Sequence, residues 1–252
     1  GSSTLKNAQL IWSVNGLFQT PYSFSASVPF NTTANALIGS LNFLIDSAYS
    51  IKAWPSAPNG ASDANALNDA LLTNNIYPAL NGLYTLGGVT PDFKSFNRSA
   101  INLKYGGVLG NVTFNARDGR YNEAMVVDSI PFQNNFNVTW QSESNDSSKV
   151  TLTYSPSLYD NVYAVIQFNK TKNISIKKIG LQVKIPSSPN SGTYNSIVYF
   201  TGSNQNVQLI SNAFTESSYN VPGNTNASRV IYDRAPEGTQ DPAVDSPPVT
   251  TR

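Results

Sequence analysis

From about residue 100 onward, short apolar runs alternate with turn-forming residues. The runs at 101–105, 108–115, 124–130, 136–141, 149–154, 162–168, 174–185, 196–201, 206–211 and 229–232 are rich in Val, Ile, Tyr, Phe and Thr, and Gly, Pro, Asn or Ser separate them. In Val150, Leu152 and Tyr154, in Ala164, Ile166 and Phe168, and in Ile179, Leu181, Val183 and Ile185, apolar side chains recur at every second position. That is the period of a strand with one buried face. Many short strands at regular spacing predict a mainly β protein built as an antiparallel β-sandwich. Asp118-Gly119, between Phe114 and Tyr121, has the composition of a tight hairpin turn, as do Asn15-Gly16 and Asn81-Gly82. No βαβ alternation is present, which disfavours a doubly wound sheet.

The N-terminal third has a different pattern. Ala8, Leu10, Trp12 and Val14 share one side of an extended segment, and Gly16 and Pro21 then break it. Leu37, Leu41, Leu44, Ile45 and Ala48 stand at helical spacing behind an Asn/Thr cap, and Ala66, Leu67, Ala70 and Leu71 repeat the design ahead of Pro78. Short helices are therefore predicted near 32–49 and 62–77. The organisation this suggests is an N-terminal strand and linker at 1–20, a sandwich body at 21–234, and a Pro-rich tail at 235–252. The tail holds four prolines and little that could form a core, so docking on a neighbouring subunit is the expected way to order it.

Composition narrows the chemistry. The 252 residues include no Cys and no His, which removes disulfides, thiolate or imidazole metal sites, and every catalytic triad built on histidine. A formal net charge of +1 with scattered Lys and Arg gives no footprint for nucleic acid. No apolar stretch is long enough to span a bilayer. Asn, Ser and Thr make up about a third of the chain while Asp plus Glu number 15, so the surface is polar but sparsely charged. Such a surface suits an exterior coated with glycan, or an acidic medium in which carboxylates are neutral. The start at Gly1, without initiator Met or apolar leader, reads as a mature form, and the expected location is extracellular. Eight Asn-X-Ser/Thr sequons, at Asn31, Asn97, Asn111, Asn137, Asn145, Asn169, Asn173 and Asn226, are candidates for N-glycans.

Other candidate chemistry is thin. Asp118, Glu123, Asp128 and Glu143 could supply a carboxylate pair of the glycosidase kind, against the alternative of ordinary turn acids. Ser144-Asn145-Asp146-Ser147 offers calcium a single carboxylate and reads as an Asx turn. Tyr154, Phe168 and Phe200 could stack on sugar or form cross-strand core pairs. Lys104, Lys177 and Lys184 lie within predicted strands, where a lysine–asparagine isopeptide cross-link would need a partner and a nearby carboxylate.

Taken together, the alternating strand from Ala8 to Val14, the mature-type start, the Asn/Ser/Thr-rich strands and the sequons resemble the thread filament subunits of thermoacidophilic archaea. That resemblance implies an Ig-like or pilin-like sandwich joined head to tail by donor-strand complementation, with Ala8, Leu10, Trp12 and Val14 as the inserted side chains. The chain departs from type IV pilins and archaellins, since 1–18 is too short and polar for their long apolar helix. The function expected is thus a non-enzymatic structural subunit of an extracellular glycosylated filament, serving adhesion or cell contact. Its partners would be identical subunits and covalent glycans, with no cofactor. A carbohydrate-binding module or glycosidase, and a viral capsid or surface-layer protein, are the alternatives.

Overall fold

A computed structural model describes residues 3–62, 69–155, 162, 164–184, 196–216 and 229–234. The chain divides into two compact units, Gly1–Tyr77 and Pro78–Arg252.

Unit 1 is an antiparallel sheet. Its central strand β1 (Leu5–Val14) is paired on one side with β2 (Leu17–Phe18) and β3 (Tyr22–Val28) and on the other with β4 (Tyr49–Ser56), which carries β5 (Leu71–Ile76). Asn15 and Gly16 both have positive φ and close the β1–β2 hairpin, as their composition predicts. Trp12 is buried, donates its indole N–H to the Thr20 carbonyl at 3.0 Å, and lies so close to Gly39 that a Cβ there would collide with the ring.

Neither helix predicted for this region forms within the described residues. Residues 32–43 are irregular because Thr32 turns its hydroxyl back to the Pro29 carbonyl instead of capping forward, and because Gly39 is held against Trp12. Residues 71–76 are β5, and 63–68 lie outside the described residues.

Unit 2 overturns the antiparallel sandwich. Strand β6 (Leu80–Leu86) is followed by helix α1 (Phe96–Gly106) and then by twelve strands that wind through three parallel sheets. The first coil contains β7 (Val108–Ala116), β8 (Gly119–Asn122) and β9 (Met125–Val127); the second, β10 (Val138–Ser142), β11 (Val150–Tyr154) and β12 (Ala164–Asn169). The third contains β13 (Lys172–Lys177), β14 (Gly180–Val183) and β15 (Ser196–Thr201); the fourth, β16 (Gln205–Ile210), β17 (Ala213–Glu216) and β18 (Arg229–Arg234). Each strand pairs in parallel with its counterpart one coil away, so the unit is a β-solenoid. The alternation that suggested a sandwich is real, but it marks the inner and outer faces of solenoid strands. Asp118-Gly119 accordingly turns a corner between two sheets rather than closing a hairpin, and Gly82 lies inside β6 at a register shift.

The interior is mostly apolar and stacked by position. On the first sheet Tyr84, Phe114, Trp140, Ile176 and Leu209 follow one another across the coils, with Phe114 and Trp140 rings parallel at 5.2 Å. On the second, Tyr121, Leu152, Leu181 and Phe214 do the same; on the third, Phe168 stacks on Phe200, again at 5.2 Å. Two asparagines tie corners between coils. The Asn204 carboxamide oxygen accepts both the backbone N–H and the hydroxyl of Thr171, and that of Asn212 accepts the Ile179 N–H, all at 2.9 Å.

The run at 101–105, expected as a strand, belongs to α1. Ser95 caps it by accepting the Arg98 N–H, Gly107 at φ 72° ends it, and Phe96, Ala100 and Leu103 turn one apolar face onto the core. The helix packs beside β9, the edge strand of its sheet, where a preceding coil would otherwise lie. Glu123, just past β8, holds the helix there: its carboxylate accepts the Phe96 and Asn97 N–H groups at 2.9 and 3.1 Å, satisfying donors that a helix start leaves open. Glu123→Ala should lower stability by roughly 1–2 kcal/mol, read as a lower urea midpoint with α1 exchanging its amide protons faster.

Candidate functional site

The outer side of the first solenoid sheet carries a repeated four-residue pattern. Asn111-Val112-Thr113-Phe114, Asn137-Val138-Thr139-Trp140, Asn173-Ile174-Ser175-Ile176 and Asn206-Val207-Gln208-Leu209 occupy the same register in successive coils. The second and fourth residues point inward, and the first and third point out. The asparagines therefore form a column, and the hydroxyl residues form another beside it.

Parallel strands lie about 4.8 Å apart, which places like amides within reach of one another. Asn111 Oδ1 accepts the Asn137 N–H at 2.9 Å, Asn206 donates its amide to Asn173 Oδ1 at 2.9 Å, and Gln141 donates to Asn115 Oδ1 at 2.9 Å. Asn173 and Asn206 have φ near 50°, a left-handed conformation that asparagine tolerates better than most residues.

Three of the eight sequons, at Asn111, Asn137 and Asn173, are thus successive members of one structural column. The others fall elsewhere. Asn31 and Asn145 are exposed residues at left-handed turn positions. Asn97 is in α1, and the hydroxyl of its sequon partner Ser99 is buried, donating to the Phe96 carbonyl and accepting the Trp140 indole N–H at 2.9 Å. Asn169 donates its amide to Asp128, while its partner Thr171 is buried and bonded to Asn204. Asn226 lies outside the described residues.

The proposed donor residues Ala8, Leu10, Trp12 and Val14 all lie in β1, paired on both edges within unit 1. Ala8, Trp12 and Val14 are buried there and Leu10 is half-buried.

Each candidate acid except Asp118 has a structural partner. Glu123 caps α1, Glu143 lies 3.9 Å from Arg117, and Asp128 binds Lys104 Nζ at 2.6 Å and the Asn169 amide at 2.9 Å. Asp118 stands at the β7–β8 corner. Asp146 accepts the Ser148 N–H and hydroxyl, the Asx turn that the sequence predicts, and these bonds, the backbone one foremost, hold its carboxyl below the usual range. Among the described residues no group of three metal-ligating side chains occurs. Phe168 is fully buried, and Tyr154 and Phe200 pack against the core, so none of the three is a free stacking platform.

Lys104, Asp128 and Asn169 do meet as the groups of an isopeptide site would. However, the hydrogen bond to Asp128 raises the lysine pKa, keeping Nζ an ammonium without a lone pair to attack an amide. Among the described residues Lys184 Nζ reaches the Asn122 side chain at 3.4 Å, and Lys177 is in register with Gln141.

Comparison with protein-family models, with curated proteins and with solved structures finds no match, and so nothing there identifies a pilin. The repeat itself was present in the sequence as N-V-T-F, N-V-T-W, N-I-S-I and N-V-Q-L, but unequal spacing hid it. The partners bonded across adjacent coils are 26 residues apart at Asn111–Asn137 and 33 apart at Asn173–Asn206.

Two outcomes follow. In material from a glycosylating host, glycopeptide mapping should find Asn31 and Asn145 occupied and Asn97 and Asn169 bare, because the last two would need a buried hydroxyl to be released. For the Lys104–Asp128 pair, the folded lysine pKa lies above 10.5, so its stabilisation is complete below that value and is lost as pH rises through the folded pKa. Wild type should exceed Lys104→Met in urea midpoint near neutral pH and approach it as the pH rises through the raised lysine pKa, the gap being small because the side chain is partly exposed.

Proposed function

We propose that the chain is a structural subunit of a self-associating extracellular assembly, in which unit 1 is the association surface and the solenoid a rigid body. The observation that carries this reading is the imbalance of unit 1. Among its described residues only Ala8, Trp12 and Val14 form a buried apolar core, while Leu17, Phe18, Leu37, Leu44 and Leu71 are each at least 68% exposed. A unit with more large apolar side chains exposed than buried is stabilised when something covers them, which favours association.

A second copy suits that surface. Lys6, Asp46, Lys52, Asp63 and Asp69 are the only charged side chains in the sequence of unit 1, so two copies meet with little charge repulsion. Strand β5 also ends the sheet with nothing paired on its far side among the described residues. Association through these exposed side chains leaves β1 in place, whereas donation of Ala8–Val14 to a neighbour would first break its ladders to β3 and β4. The filament reading is thereby kept and its contact residues moved from β1 to the exposed apolar side chains of unit 1.

Sedimentation and electron microscopy over a concentration series test this. Wild type should form large ordered particles, and the double variant Phe18→Asp/Leu44→Asp should stay monomeric with an unchanged circular dichroism spectrum. A wild type that is monomeric at every concentration, or a double variant that assembles as well as wild type, would overturn the reading.

A further inference from the structure

The column of stacked sequons constrains how a glycan can be carried. We infer that Asn111 and Asn173 are the modification sites of this face and that Asn137, between them, is kept bare by its neighbours.

The register places Val138 opposite both Val112 and Ile174, so the preceding Asn137 has a sequon asparagine on each side at the spacing of adjacent strands, about 4.8 Å. A pyranose ring with its substituents is wider than that spacing. Glycans on adjacent coils would overlap, whereas glycans on Asn111 and Asn173, two coils apart, have about twice the room. Beyond Asn173 stands Asn206, whose Val-Gln continuation is not a sequon, so the outer site meets no further modified neighbour.

Hydrogen bonding supports the same assignment. The linkage forms at Nδ2: an activated phosphate-linked glycosyl donor transfers its sugar, the anomeric C–O bond breaks as the C–N bond forms, the amide loses one proton, and the phosphate carrier leaves. Oδ1 remains an acceptor throughout. Asn111 and Asn173 use Oδ1 in the ladder, toward the Asn137 N–H and the Asn206 amide respectively, and both bonds survive modification of the nitrogen.

Glycopeptide mapping and intact mass of folded protein, from a host in which Asn145 carries glycan, provide the test. The expected result is occupancy at Asn111, Asn173 or both, with Asn137 bare, and a shift of occupancy to Asn137 in the variant Asn111→Gln/Asn173→Gln. Glycan on Asn137 in wild type, a column wholly bare, or an Asn137 still bare in the variant would each overturn the inference.

Discussion

Parallel pairing between coils is the constraint on which unit 2 depends. Within a coil, successive strands lie in different sheets, so almost no strand hydrogen-bonds to its neighbour in sequence; its N–H and C=O groups are satisfied by the coils before and after. This pairing in register puts each side chain on its counterpart. Inside, large apolar groups pile on one another, as Phe114 does on Trp140. Outside, amides pile on amides, and what would be a row of competing polar groups becomes a ladder of hydrogen bonds.

A stack of this kind has ends, and the two units meet the same difficulty differently. At the first coil the edge is closed by α1, an element of different geometry whose apolar stripe completes the core and whose open N–H groups are taken by Glu123 from within that coil. Toward the fourth coil the interior loosens: Val207 and Leu209 are only partly buried and Phe214 is 37% exposed, whereas Ile174, Ile176 and Leu181 one coil earlier are fully buried. Among its described residues unit 1 has no comparable interior. A sheet that buries one indole beneath an irregular segment gains little from burial, and its stability depends more on strand pairing and on whatever covers its apolar surface.

Much of this was legible in the sequence, residue by residue. The strand at 196–201 is located to the residue and most others to within a few, but β8 and β17 have no counterpart among the runs and β13 and β14 fall within a single run, 174–185. Partner and direction were not legible, because Val150-Thr151-Leu152-Thr153 alternates identically in an antiparallel sandwich and a parallel solenoid. The error at 101–105 has a similar origin. Ile101-Asn102-Leu103-Lys104-Tyr105 alternates like a strand over five residues, and only the wider window, with Ser95 as cap, Phe96, Ala100 and Leu103 on one face and Gly107 as stop, reveals α1. In unit 1 the reverse occurred, since leucines at helical spacing could not overcome a glycine packed on Trp12.

The sequons show how one pattern can serve two chemistries. A solenoid strand of this face takes an asparagine that can bond its counterpart, a β-branched residue pointing in, a polar side chain pointing out, and then a large apolar group; Asn-Val-Thr-Phe meets all four conditions and also reads as a glycan acceptor. Three of the eight sequons therefore arise wherever the coil repeats, and their number is no measure of how heavily the surface is modified. The substitution at the fourth coil makes the point: Asn206-Val207-Gln208 keeps the ladder amide and the inward valine and loses only the hydroxyl, so the structural role persists where the acceptor role ends. What the repeat fixes is the column. Which of its members can carry anything larger than an amide is decided by the distance between coils.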